Sequence, residues 1–333
     1  MDKKTLHLTA ITLVICVGVI VFYVNYQSFW QPQKYLVTIA VSKTPLSTPF
    51  YVAKAIDAFD GTCVNVKFDE VIGGQKAFAK VMNGEADFGT SSDSVIAFQS
   101  LANKDFVTHV MFVQSDNDVK LITRPSAQIN SAIRLKGKRI GVTKGTASEY
   151  FLSILLALEG LTTEDVQLFH FKPDELVHGF IDNKIDAFVP WEPFAFHSTK
   201  LLNKQIKIHD TKSLNILSFN LISLIADKEL VEKAKCVIEG LTLAIDYIAS
   251  HPEKAKRIVI NELKLSAEFI EWVWPDYIFK LGLNQSLILS IKSQAIWAVE
   301  TKMTEHNDIP NIENFIDSRA MLQVDPGAVN IPL

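Results

Sequence analysis

Cysteine is scarce, with three residues in a chain of 333. Cys63 and Cys236 lie far apart in sequence and can pair only if folding brings their Cα atoms within about 7 Å. They read instead as two small buried hydrophobes. An excess of positive charge is lacking too: the net charge is −4 and the basic residues are scattered, which gives no footprint for nucleic acid. The runs KKTL, KGKR and KAKR read as solvated faces. Reactive signatures are also missing, since no G-x-S-x-G elbow, P-loop, G-x-G-x-x-G or H-E-x-x-H occurs. The eight histidines lack metal-ligand spacing. Neither a metal nor a cofactor is expected, and binding is favoured over reaction.

What the chain does contain is a repeat, the first feature to look for in any sequence. IAVSKTPLSTPFYVAKAIDAFDG from Ile39 is answered about 100 residues later by IGVTKGTASEYFLSILLALEG from Ile140. In each copy a short β-rich run leads through small hydroxylated residues into an apolar helical stretch. MNGEADFGT from Met82 is echoed by IDNKIDAFV from Ile181, which puts Asp87 in register with Asp186. Both aspartates follow helix ends, so a shared role in the turn is expected rather than acid and base chemistry. Two α/β lobes on one plan imply a cleft between them, and function is expected there.

Residues 1–30 form a separate object. Lys3 and Lys4 precede an uncharged apolar stretch from Leu8 to Val24, and Phe22, Tyr23, Tyr26, Phe29 and Trp30 cluster at its far end. The length suits a membrane span, and the bulky residues of 23–31 do not suit a signal-peptidase site. An uncleaved anchor through residues 8–24 is expected, with cleavage or lipidation at Cys16 as the alternatives. The lysine bias places the N-terminus in the cytoplasm and the remainder in the periplasm or outside the cell.

Residues 31–35 read as a linker. Strand and helix patterns then place a first lobe in residues 36–122 and 216–333 and a second in 123–215. CVNVKFDEV, VTHVMFVQ, VKLITRP, VQLFHF, QIKIHD and FNLISLIA read as strands, and helices are expected through residues 228–304. The chain crosses between lobes near Thr123 and near Asn215, and two crossings make a hinge.

The segments TIAVSKTPLSTPFYVAKAIDAF, GGQKAFAKVMNGEADFGTSSDS, LKGKRIGVTKGTASEYF and DAFVPWEPF together resemble the extracytoplasmic solute-binding proteins of ABC importers, in the nitrate, sulfonate, taurine and thiamine-pyrimidine group. The resemblance spans residues 36–326. It implies a type II periplasmic-binding-protein fold, in which two α/β lobes joined by a two-crossing hinge close on one small-molecule ligand. The N-terminal transmembrane helix would be an addition, since many relatives carry a removable signal or a lipidated cysteine. The implied partners are an ABC permease and its cytoplasmic ATPase, and the chain is expected to act as a monomer. Two other functions remain open: an enzyme on the same fold acting on a pyrimidine or similar molecule, and a ligand sensor working through a partner protein.

The expected ligand contacts lie where strands end and helices begin: Thr44, Pro45, Ser47 and Thr48; Thr90, Ser91 and Ser92; Gly145, Thr146, Ala147 and Ser148. Such starts offer hydroxyls, unpaired N–H groups and the positive end of the macrodipole, which attract carboxylate, sulfonate or nitrate. Ordinary N-capping uses the same residue types. In the WEPF segment, Trp191 offers a flat apolar face. The resemblance implies that Glu192 faces the cleft, where it can accept hydrogen bonds from an amine or ring N–H. An acid beside hydroxyl-rich helix starts suits a zwitterion or nitrogen heterocycle, while Lys144 could supply the opposite charge. The ligand is therefore anionic, zwitterionic or N-heterocyclic on this reading.

Overall fold

The computed structural model describes residues 34–102, 105–129 and 131–331. The expected anchor at residues 8–24 lies outside them. Among the described residues, no helix is long and apolar enough to cross a membrane.

Among the described residues twelve strands build two sheets. Those of the larger are β1 (Tyr35–Ser42), β2 (Val64–Val71), β3 (Phe88–Ser92), β4 (Phe106–Ser115), β10 (Leu217–Leu224), β11 (Tyr277–Asn284) and β12 (Val329–Asn330). They lie in the order β12-β11-β4-β10-β3-β1-β2. Strand β4 is buried at all but one of its ten residues, as a central strand covered on both faces requires. Helices α1 (Thr48–Ala55), α2 (Gly74–Met82), α3 (Asp93–Leu101), α7 (Lys228–Ser250), α8 (Pro252–Leu263), α9 (Ala267–Val273), α10 (Gln285–Glu300) and α11 (Arg319–Val324) belong to this half. Edge-to-face aromatic pairs fill its core, with Phe50 against Phe112 at 4.9 Å and Phe78 against Phe106 at 4.8 Å.

The smaller sheet has the order β7-β6-β8-β5-β9, from β5 (Ile122–Thr123), β6 (Arg139–Val142), β7 (Gln167–His170), β8 (Ala187–Phe188) and β9 (Lys207–Ile208). Helices α4 (Ala147–Ala157), α5 (Leu176–Ile181) and α6 (Phe194–Leu202) pack on it. Its core divides in two. Val142, Phe151, Leu152 and Leu156 anchor one cluster, and Phe180, Ile185 and Phe188 the other. The chain leaves the large sheet after Ser115 and returns to it at Leu217.

Two expectations about elements need correction. The helical reading of residues 228–304 missed β11, whose burial alternates at first and then becomes continuous. Its YIFKLGL pattern carries the period of a half-buried strand, hidden between helices on either side. The VKLITRP strand shrinks to two residues and joins the small sheet, because 116–121 serve as the passage between sheets.

Cys63 and Cys236 form a disulfide, with Cα atoms 5.6 Å apart. This overturns the reading of two independent hydrophobes. The bridge ties the start of β2 to the middle of α7, two elements whose contact sequence spacing does not reveal.

The repeat is built into hydrogen bonds. Asp87 Oδ2 accepts from the Thr38 N–H at 2.8 Å, and Asp186 Oδ2 accepts from the Arg139 N–H at 3.0 Å. In both copies the aspartate N–H donates back to the same strand residue, at 2.9 and 2.8 Å. The preceding turns need a left-handed residue, supplied by Gly84 at φ 70° and by Asn183 at φ 60°.

Candidate functional site

Thr44 caps the short turn Pro45–Ser47, accepting from the Leu46 N–H at 3.4 Å, and Thr48 Oγ1 donates to the Pro45 carbonyl. Pro45, Ser47 and Thr48 are buried, and the Ser47 hydroxyl has no hydrogen-bond partner among the described residues. At the end of β3, Thr90 Oγ1 accepts from the Ser42 N–H at 2.8 Å, and Ser91 Oγ reaches the Gly74 carbonyl at 3.4 Å. Ser92 caps α3 through the Val95 N–H at 3.3 Å.

In the small-sheet half, Gly145 stands at φ 64° and its N–H donates to the Glu149 carboxylate at 2.8 Å. Glu149 also holds His170 at 2.9 Å. Thr146 caps α4, whose first residue is Ala147. Ser148 is buried, accepts from the Thr143 N–H and donates to the Val189 carbonyl. Lys144 is exposed.

Trp191 is half-buried against Phe194, with ring centroids 5.7 Å apart, and bridges to Val119. Glu192 is buried and fully engaged. Its carboxylate accepts from Trp272 Nε1 at 2.7 Å and from the Phe196 N–H at 3.0 Å, and lies 3.3 Å from Lys120 Nζ. Trp272 belongs to α9, so this carboxylate spans the two halves. Phe196 against Phe269 at 5.2 Å and the Lys200–Glu268 ion pair extend the same seam. Burial raises the pKa of Glu192 despite the opposing effect of Lys120. Asp118, behind it, is pushed up to about 8, first by burial and then by the charge of Glu192.

A cavity of about 280 Å³ opens where the halves meet. Asp93 and Ser290 line it from the large-sheet half, Tyr150 and Ile154 from α4, and Leu214 and Asn215 from the returning crossing. Asp93 is the first residue of α3 and is almost wholly buried. Its carboxylate accepts from Ser290 Oγ at 2.8 Å and from the Ser94 N–H at 2.9 Å. Burial raises its pKa to about 6. Tyr150 crosses the junction to hydrogen-bond Ser293 and to pack edge-on against Trp297 at 5.4 Å, and burial with the nearby Asp93 charge raises its pKa to about 12.

None of the expected contact residues lines this cavity, although Ser92 adjoins Asp93 and Ser148 lies two residues before Tyr150. Sequence reasoning reached Asp93 only as the end of the Thr90–Asp93 helix start and missed Tyr150 and the serines of α10. The serines carried a legible signal: Ser286, Ser290 and Ser293 fall at i, i+4 and i+7, one face of a helix.

Comparison with known proteins gives a consistent assignment. A protein of Bacillus subtilis (strain 168), provisionally named as an aliphatic sulfonates-binding protein, is 23% identical over 234 residues, 67% of this chain and 70% of its own length. A Brucella abortus (strain 2308) protein provisionally named as a binding protein is 27% identical over 161 residues, 46% of this chain and half of its own. The crystal structure of the periplasmic aliphatic sulphonate binding protein of Escherichia coli superposes with a TM-score of 0.71 at 18% identity, covering 85% of this chain and 98% of that one. All three are named as binding proteins, and the chain shares the α/β periplasmic-binding-protein fold. The family described as NMT1/THI5 like matches residues 44–255, well over half of the sequence, and the chain belongs to that family.

Proposed function

We propose that the chain is the solute-binding component of an ABC importer, which captures a small polar solute between its two sheets and delivers it to a permease powered by a cytoplasmic ATPase. The observation that carries this reading is the cavity at the meeting of two α/β halves, bordered by the returning crossing and lined by both polar and apolar side chains. A solute that touches both halves stabilises the closed arrangement by the difference between its contacts in the closed and open states. The names of the relatives point to sulfonate-like solutes, and the helix starts at Thr44–Thr48, Thr90–Ser92 and Gly145–Ser148, with Trp191, are proposed to border the cleft around the cavity, whose own lining comes from residues such as Asp93, Tyr150 and Ser290. Glu192, engaged with Lys120 and Trp272, is proposed to hold the seam beside the cleft. Residues 8–24 would tether the receptor to the cytoplasmic membrane, with the binding unit in the periplasm or outside the cell.

Thermal unfolding of the purified full-length chain against alkanesulfonates, taurine, nitrate and aminopyrimidines tests this. A solute bound only by the folded state, at a hundred times its dissociation constant, adds about 2.7 kcal/mol of stability. Stabilisation by one solute, recovered chemically unchanged, supports a receptor. Conversion of that solute to a product would replace the receptor with an enzyme.

A further inference from the structure

The cavity at the junction has a charge imbalance. Asp93 is a buried carboxylate with no ion-pair partner among the described residues, held by two serine N–H groups, the Ser290 hydroxyl and Gln294. Among the described residues no lysine, arginine or histidine lines the space, and the other polar groups around it are hydroxyls and amides. These donors satisfy the carboxylate's hydrogen bonding but leave its charge uncompensated, and a buried charge without an opposite charge is costly to maintain. It also stands at the first residue of α3, where its own charge already complements the positive end of that helix and repels an incoming anion. The lining also includes the apolar side chains of Ile154, Leu214 and Leu287.

Building on the receptor reading, we propose that the solute held in this cavity carries a positively charged nitrogen, an ammonium or amidinium on a short hydrocarbon body, with Asp93 as its counter-ion. The nitrogen sits against the Asp93 carboxylate and the Ser290 hydroxyl, and the hydrocarbon lies on Ile154 and Leu287. A cavity of about 280 Å³ is at the small end of ligand pockets, which restricts the body to a few carbons. A solute that also bears a sulfonate is admitted only with its amine. A plain alkanesulfonate lacks the group that Asp93 requires.

Calorimetric titration of the full-length chain at pH 7.5, where Asp93 is ionised, tests the inference with matched probes: taurine against ethanesulfonate, and butylammonium against butanesulfonate. Each amine is expected to bind at least tenfold more tightly than its partner, and Asp93→Asn is expected to erase that preference. Ile154→Trp, which fills the cavity from α4 and leaves Asp93 itself unchanged, is expected to abolish amine binding while the variant still unfolds cooperatively. Equal affinity within the pairs, or a preference that survives Asp93→Asn, overturns the proposal. Tight binding of the sulfonates alone overturns it too, yet leaves the receptor reading intact. Absence of binding by all four probes and by the wider solute panel defeats both.

Discussion

In the large-sheet copy of the repeat, Asp87 holds the Thr38 N–H and lies 3.8 Å from Lys233 on a helix more than a hundred residues away. In the small-sheet copy, Asp186 holds the Arg139 N–H and also the Arg139 guanidinium in a two-pronged contact, at 3.1 Å from Nε and 2.7 Å from Nη2. The backbone device is common to both, and the charge around it is local in one and distant in the other. The helix starts diverge in the same way. Helix α1 has no acid in its first turn, whereas α3 begins with Asp93 and α4 carries Glu149 against the Gly145 N–H. Two of the three starts that resemble anion sites are therefore already supplied with a carboxylate by the chain itself. A repeated fold preserves its turns, and the residues that set its electrostatics vary freely.

The largest break of this comparison comes from the disulfide, which only the large-sheet half possesses. Reduction, or Cys63→Ser with Cys236→Ser, opens a loop of 173 residues. The loop-closure model puts the loss near 5 kcal/mol. Denaturant unfolding with and without reductant should show that loss, and a transition that does not move would mean the bridge contributes nothing.

A second effect separates two regions by pH. Asp118, raised to about 8, favours folding while it is protonated. Its contribution is complete below the unfolded pKa near 4 and is lost as pH rises through about 8. Asp186 behaves oppositely. The Arg139 hydrogen bonds lower its pKa, so its contribution is present above the unfolded value and is lost as acid protonates it. Asp118→Asn should therefore raise stability at pH 9 by on the order of 3 kcal/mol and change little at pH 4. Melting curves across that range check both slopes.

The smallest effect concerns the repeat itself. Asp186→Ala removes a partly buried ion pair together with a backbone hydrogen bond and should cost about 2 kcal/mol, against about 1 kcal/mol for Asp87→Ala. Equal losses in urea titrations would show that the backbone bond alone matters and that the guanidinium adds nothing.

The repeat, the two-sheet plan and the turn role of Asp87 and Asp186 were legible because each is encoded within a short stretch: a β-rich run, a polar turn and an apolar helix follow one another in the chain. The hydroxyls at Thr44, Thr90, Thr146 and Ser148 were legible as helix starts for the same reason. Sequence does not say where a hydroxyl's hydrogen bond goes, and most of these groups close bonds inside the fold. Glu192 was recognised as an acid beside a tryptophan, but its partners Lys120 and Trp272 stand 72 and 80 residues away. The pairing of Cys63 with Cys236 and the meeting of Asp93, Ser290 and Tyr150 arise from contacts between segments remote in the chain. By itself, then, the sequence determined the local alternation of strand, turn and helix, since periodicity and capping act over a few residues. Only the tertiary structure decided which polar and charged groups face a cavity, because burial and charge balance depend on the packing of both halves together.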